Sequence, residues 1–154
     1  MNLYYKSEAE IEAVVRGFES CLIGKDQFPH KSHLTVAVWY LRNSTFEAAI
    51  ESMRAGLLNF LNHHAVGRQK YNETLTIFWM RMVNGSMESG GMDLSLVETT
   101  NAVIEALVDS RLALDYYSPE LLNSDEAKSK WVEPDLKCLP KVDRRKLSGT
   151  SKFR

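Results

Sequence analysis

Apolar residues recur at intervals of three and four along most of the chain, and polar caps divide them into segments. Ile11, Val14, Val15, Phe18 and Leu22 follow the Ser7/Glu10 pair, a capping-box signature, so a first helix is predicted over about 7–23. The stretch "IGKDQFP" interrupts it, and Pro29 suits the start of a second helix whose apolar face runs through Leu34, Ala37, Val38 and Leu41 to about Arg42. Ser44 and Glu47 read as another capping box, opening a third helix through Phe46, Ile50, Met53, Leu57, Leu58 and Leu61 to about His63. "HHAVGRQKYN" is then a loop. Asn72 can cap a fourth helix bearing Leu75, Phe78, Trp79, Met82 and Val83, which "NGSMESGG" is expected to end at a glycine-rich linker.

Asp93 or Ser95 caps a fifth helix, with Leu96, Val97, Val103, Ile104, Leu107 and Val108 facing the core. Ser118-Pro119-Glu120 and Ser124-Asp125-Glu126 each look like a cap followed by a helical turn, and "VEPDLKCLP" reads as extended. No alternating pattern competes with helix. The expected fold is all-α, an up-and-down bundle of about five main helices plus short C-terminal helical pieces, in one domain over residues 1–140.

That topology gathers polar residues which are far apart in sequence. Short connections make successive helices antiparallel, so the starts of helices two and four and the end of helix three share one end of the bundle. His30, His33, His63, His64 and Glu73 all fall there. His30, His33, Ala37 and Leu41 lie on one stripe, which turns both imidazoles inward. Two imidazoles and a carboxylate form a ligand set for zinc, iron, nickel or manganese, with His30, His33 and Glu73 as the metal ligands and His33 and Glu73 as catalytic groups. A three-residue histidine spacing is a weak signal beside a zincin helix, and the bland reading has both rings hydrogen-bonded to carbonyls or to Tyr40 and Tyr71.

Helix polarity points elsewhere. Two helix N-termini aimed at one place favour an anion over a cation, and Arg68 and Lys70 push the same way, while Asp26 and Glu73 offset them in part. An anionic small molecule held there would exchange a proton with His33. Trp39, Tyr40, Phe78 and Trp79 are candidates for an apolar wall beside these groups.

Composition adds bounds. The 154 residues are 44% hydrophobic and 25% charged, ordinary for a domain with its own core. Nineteen basic and twenty acidic side chains give a net charge of −1, which supplies no global field toward nucleic acid or an anionic membrane. Lys141, Arg144, Arg145, Lys146, Lys152 and Arg154 against Asp143 make residues 141–154 a basic tail, read as solvated and flexible. No apolar run is long enough to cross a bilayer, and "MNLYYKSEAEIE" lacks a secretory pattern, so a cytoplasmic protein is expected. Cys21 and Cys138 are read as reduced thiols. An apolar face left uncovered would pair two chains as a homodimer.

Three words carry a family likeness: "PHKSHLTVAVWYL", "YNETLTIFW" and "YYSPELLNSDEAKSKWVEPDLKCLP". Over about residues 28–140 the chain resembles a family of small, largely uncharacterised bacterial proteins. That family has a histidine pair before a leucine, a Tyr-His-Glu-Thr segment entering a helix and a closing Val-Glu-Pro-Asp-Leu stretch. The resemblance implies that His30, His33, Tyr71, Glu73, Thr74 and the segment from Trp131 to Leu136 occupy motif positions; it implies no activity. Asn72 stands where the family has histidine, which counts against a three-histidine metal site.

The sequence thus yields two main functional classes, with nucleic-acid binding through the basic tail a weaker third. The first is a small-molecule site, with a divalent metal as one form of it, in which Arg68, Tyr71, Asn72, Thr74, Trp39 and Tyr40 serve as ligand-binding residues. The second is a non-catalytic helical interaction module whose histidines are structural.

Overall fold

A computed structural model describes residues 4–90 and 93–140. They form an all-α bundle of seven α-helices: α1 (Glu8–Glu19), α2 (His30–Asn43), α3 (Phe46–His63), α4 (Glu73–Ser89), α5 (Leu96–Ala106), and the short α6 (Pro119–Leu122) and α7 (Asp125–Ser129). Single 3-10 turns lie at Lys25–Gln27, Arg68–Lys70 and Leu112–Asp115. The basic tail, residues 141–154, lies outside the described residues.

Local chemistry sets the helix starts. Ser7 accepts from the Glu10 amide while Glu10 reaches back, and Ser95 and Glu98 repeat the arrangement at α5. Asn72, Ser118 and Ser124 cap α4, α6 and α7 through their side chains. At α3 the expectation of Ser44 fails: α2 runs on to Asn43, Ser44 donates its hydroxyl back to Tyr40 O at 2.7 Å, and the adjacent Thr45 accepts from the Ala48 amide.

Three other expectations are corrected. The first helix ends at Glu19, and Cys21 takes a left-handed backbone (φ 59°), which turns Leu22 out of the apolar stripe to 85% exposure. The glycine-rich stretch does not end α4 at Gly85, since the helix continues through it to Ser89. Val108, expected in the core, lies beyond the end of α5 and is exposed.

Helix α2 occupies the centre, packed against α1, α3, α4 and α5, and α4 joins α3, α5 and α7 around it. Its run Leu34-Thr35-Val36-Ala37-Val38 is buried on every side, which suits small and β-branched residues that let four neighbours approach. Thr35 meets that burial by donating to Lys31 O and pairing with the Tyr5 hydroxyl at 2.9 Å. The buried Asn101 of α5 bonds both the N–H and the C=O of Tyr5 at 3.0 Å, fixing the N-terminal segment to the bundle.

A smaller core forms outside α4, where Phe78 meets Ala113, Tyr116, Tyr117 and Leu122. Tyr117 is fully buried and donates to Val132 O at 2.7 Å, so the irregular segment 130–140 lies strapped over this second core. No helix among the described residues is long and apolar enough to cross a membrane.

Candidate functional site

A cavity of about 650 Å³ opens between the first turns of α2 and α4 and the last turns of α3. This volume is in the usual range for small-molecule sites. Leu34, Ala37, Met53, Leu57, Phe60 and Trp79 form its apolar wall, and Lys25, Asp26, Lys70 and Ser110 stand among its polar lining residues.

Both predicted histidines line it. His30 donates Nε2–H to Leu107 O at 2.9 Å and sets its ring edge-on against Trp79 with centroids 4.5 Å apart. His33 donates Nδ1–H to Pro29 O at 3.2 Å and packs against Phe28 at 4.2 Å. A carbonyl oxygen can only accept, so the nitrogen facing it carries the proton. Burial lowers the His33 pKa to about 4, only partly opposed by the bond to Pro29 O, and neighbouring His30 lowers it further. At neutral pH His33 is therefore an uncharged ring whose Nε2 presents a lone pair. Such a weakly basic imidazole has little leverage as an acid–base catalyst at that pH.

Glu73 is placed elsewhere. Its carboxylate accepts from Arg54 Nε at 3.0 Å and Nη2 at 2.6 Å, and from the Tyr71 hydroxyl at 2.6 Å. Arg54 holds the Glu73 carboxyl below its ordinary range, aided by Tyr71 and opposed by burial. Burial and the bond to Glu73 push the Tyr71 phenol up to about 12. Arg54 also pairs with Glu51. Among the described residues, no group of three or more His, Cys, Asp and Glu side chains converges as a metal cage would.

The other predicted residues divide. Tyr71 and Asn72 line the cavity, but Asn72 caps α4 with its oxygen and donates Nδ2–H to Leu122 O at 2.8 Å. Thr74 is buried, donates to Lys130 O at 2.8 Å and accepts from the Val132 amide at 3.2 Å, so it holds the C-terminal strap. Arg68 is exposed in its 3-10 turn. Trp39 packs against the main core, and Tyr40 donates to Glu19 Oε2 at 2.5 Å on the α1 side. Neither tyrosine weighed as a histidine partner takes that role: Tyr40 bonds Glu19, Tyr71 bonds Glu73, and the histidines bond backbone carbonyls.

His63 and His64 lie at the end of α3 and are not among the residues that line the cavity. The His64 ring packs on Phe60 at 4.5 Å, and its buried Nε2 meets no hydrogen-bond partner among the described residues.

Arg54 is the residue that sequence reasoning missed. Ile50, Arg54, Leu57 and Leu61 share one stripe of α3, and a charged residue on an apolar stripe signals a distant counter-charge. Lys25 and Ser110 also enter the lining without having been singled out, and Met53, read as core, lines it too. Compared with protein-family models, curated proteins and solved structures, the chain finds no significant match in any of the three.

Proposed function

We propose that this protein binds a small, largely apolar molecule in the cavity between α2, α3 and α4. The observation that carries the reading is the cavity itself, about 650 Å³ and walled mostly by aliphatic and aromatic side chains. Several of its polar walls already have partners within the protein: Tyr71 on Glu73, Asn72 on Leu122 O and Leu75 N, Thr76 on Asn72 O. Those groups do not need a ligand to be satisfied, so burial of apolar surface supplies the affinity. Free Cys21 and Cys138 suit a reducing compartment such as the cytoplasm.

A divalent metal on His30 and His33 keeps one supporting feature. Each ring donates one N–H to a backbone carbonyl, as metal-bound imidazoles do. The third ligand expected for it, Glu73, is neutralised by Arg54, so the donor set fits poorly. Elemental analysis of protein purified without chelators, beside His30→Ala/His33→Ala, tests this second reading through metal lost in the double variant.

Naphthalene titrated into isotope-labelled protein and followed by amide chemical shifts tests the first. Shifts concentrated at Ala37, Leu57, Leu61 and Trp79, and abolished in the cavity-filling Leu57→Trp, are the expected result. Saturating concentrations that move no cavity resonance would sink the reading in favour of a helical interaction module whose histidines are structural.

A further inference from the structure

The cavity wall is uneven in how its polar groups are spent. Tyr71, Asn72 and Thr76 point their hydrogen-bonding atoms at protein partners, and His30 gives one nitrogen to Leu107 O. Each histidine of the wall keeps one ring nitrogen with no partner among the described residues, Nδ1 of His30 and Nε2 of His33. The Nδ1–H of His33 is fixed on Pro29 O, one turn back on its own helix, which leaves Nε2 as its acceptor. That nitrogen is also not sealed in the protein, since the one buried side-chain nitrogen or oxygen left without a partner there is on His64. Phe28, stacked on Phe18 at 4.7 Å, packs on the His33 ring and restrains its orientation.

We infer that the molecule held in the cavity carries a hydroxyl group that donates to His33 Nε2, making it an apolar alcohol or phenol. The inference rests on the cavity reading above and narrows its ligand class. A bare hydrocarbon would leave the nitrogen facing an apolar surface with its water removed. A carboxylate would set acceptor against acceptor, having no proton to give to a neutral imidazole. Lys25 and Lys70 do not reverse this preference: both are exposed, so their ammonium groups stay hydrated, and Asp26 beside Lys25 offsets part of their charge. A site that reads a hydroxyl by hydrogen bonding rejects the analogue lacking it.

Four two-ring probes separate the alternatives on the full chain at neutral pH: naphthalene, 1-naphthol, its methyl ether and 1-naphthoate, each titrated by amide chemical shifts. The expected result is 1-naphthol bound about tenfold more tightly than naphthalene and the ether, with naphthoate weakest. In His33→Phe, which keeps a ring against Phe28 and removes the acceptor, naphthol should fall to the affinity of naphthalene. The wild-type series stands alone if that variant folds poorly, and His33→Gln, which restores an acceptor oxygen, should recover part of the preference. Naphthalene and naphthol bound equally would overturn the hydroxyl while leaving the cavity reading in place. Naphthoate bound most tightly would also overturn it, giving the mouth to Lys25 and Lys70 as an anion site. No probe bound at all would remove both.

Discussion

Arg54 of α3 grips Glu73 at the start of α4 with two nitrogens, Nε to Oε1 at 3.0 Å and Nη2 to Oε2 at 2.6 Å. The carboxylate is only 11% exposed and takes a third bond from Tyr71, so its charge is balanced and two of its lone pairs meet donors on Oε1 alone. The pair ties the end of one cavity wall to the next. It also turns Glu73 from a candidate for chemistry into a strut, because a carboxylate bound in this way has little left to offer a ligand.

Glu73→Gln keeps the shape and removes the charge, leaving Arg54 half-buried beside a neutral amide. We expect a loss of about 2 kcal/mol in urea unfolding, below the range for fully buried pairs because Arg54 reaches solvent. Arg54→Met/Glu73→Leu should cost less than the sum of the single changes, and a strictly additive double-mutant cycle would refute the strut. The folded-state pKa of Glu73 is lowered, so its contribution is present above the ordinary carboxylate pKa and is lost as pH falls through the folded value.

His33 contributes an acid sensitivity in a different window. Its folded pKa is about 4 against an ordinary 6.5, so below about pH 6.5 the unfolded chain takes up a proton that the native ring refuses. Stability should fall between about pH 6.5 and 4 and flatten below that. The full loss is on the order of 2–3 kcal/mol, the lower figure allowing for the ring edge that meets solvent. Urea titrations across this range should show a slope in wild type that His33→Phe abolishes, while the carboxylate loss at lower pH remains in both proteins. An unchanged slope in the variant would assign the sensitivity elsewhere.

The parts of this structure that were legible in sequence are those decided within a few residues. Ser7, Asn72, Ser95, Ser118 and Ser124 announce helix starts because a cap bonds an amide two or three positions on. The inward stripe of His30 and His33 follows from helical spacing alone. Leu22 escaped because periodicity carries no sign of a backbone reversal at Cys21. Ser44 and Thr45 are equally able caps, and the tie is broken by how far the preceding helix runs. Glu73 had no local mark of its partner, which lies nineteen positions back on another helix; only the packing of α3 on α4 joins them.

The C-terminal strap is predicted to hang on Thr74. Its Oγ1 satisfies both Lys130 O and the Val132 amide, and the next carbonyl contact, Val132 O, receives the Tyr117 hydroxyl. Thr74→Val keeps the volume and strands two backbone groups, for a cost of about 2 kcal/mol. Amide hydrogen exchange is the sharper readout: Val132 and its neighbours should exchange faster while the core of α2 keeps its protection at matched stability. Uniform acceleration over the whole chain would mean that the bond supports only global stability.

Two helical glycines should respond to alanine with opposite sign. Gly85 lies exposed in α4, and a Cβ built there meets nothing within 4 Å, so Gly85→Ala should stabilise by about 0.5–1 kcal/mol through helix propensity alone. At Gly56 of α3 the same Cβ would stand 2.6 Å and 2.8 Å from the Phe18 ring. That ring cannot retreat freely, being fully buried, packed on Phe60 and stacked on Phe28, which in turn packs against Phe60 and His33. Overpacking should outweigh the propensity gain, for a net loss of about 1–2 kcal/mol. The displacement also has a path to the cavity through Phe28, so Gly56→Ala should weaken naphthalene binding where Gly85→Ala leaves it unchanged. Thermal melts and the same titration on both variants check this together, and a Gly56→Ala protein as stable as wild type would show that the Phe18 stack yields.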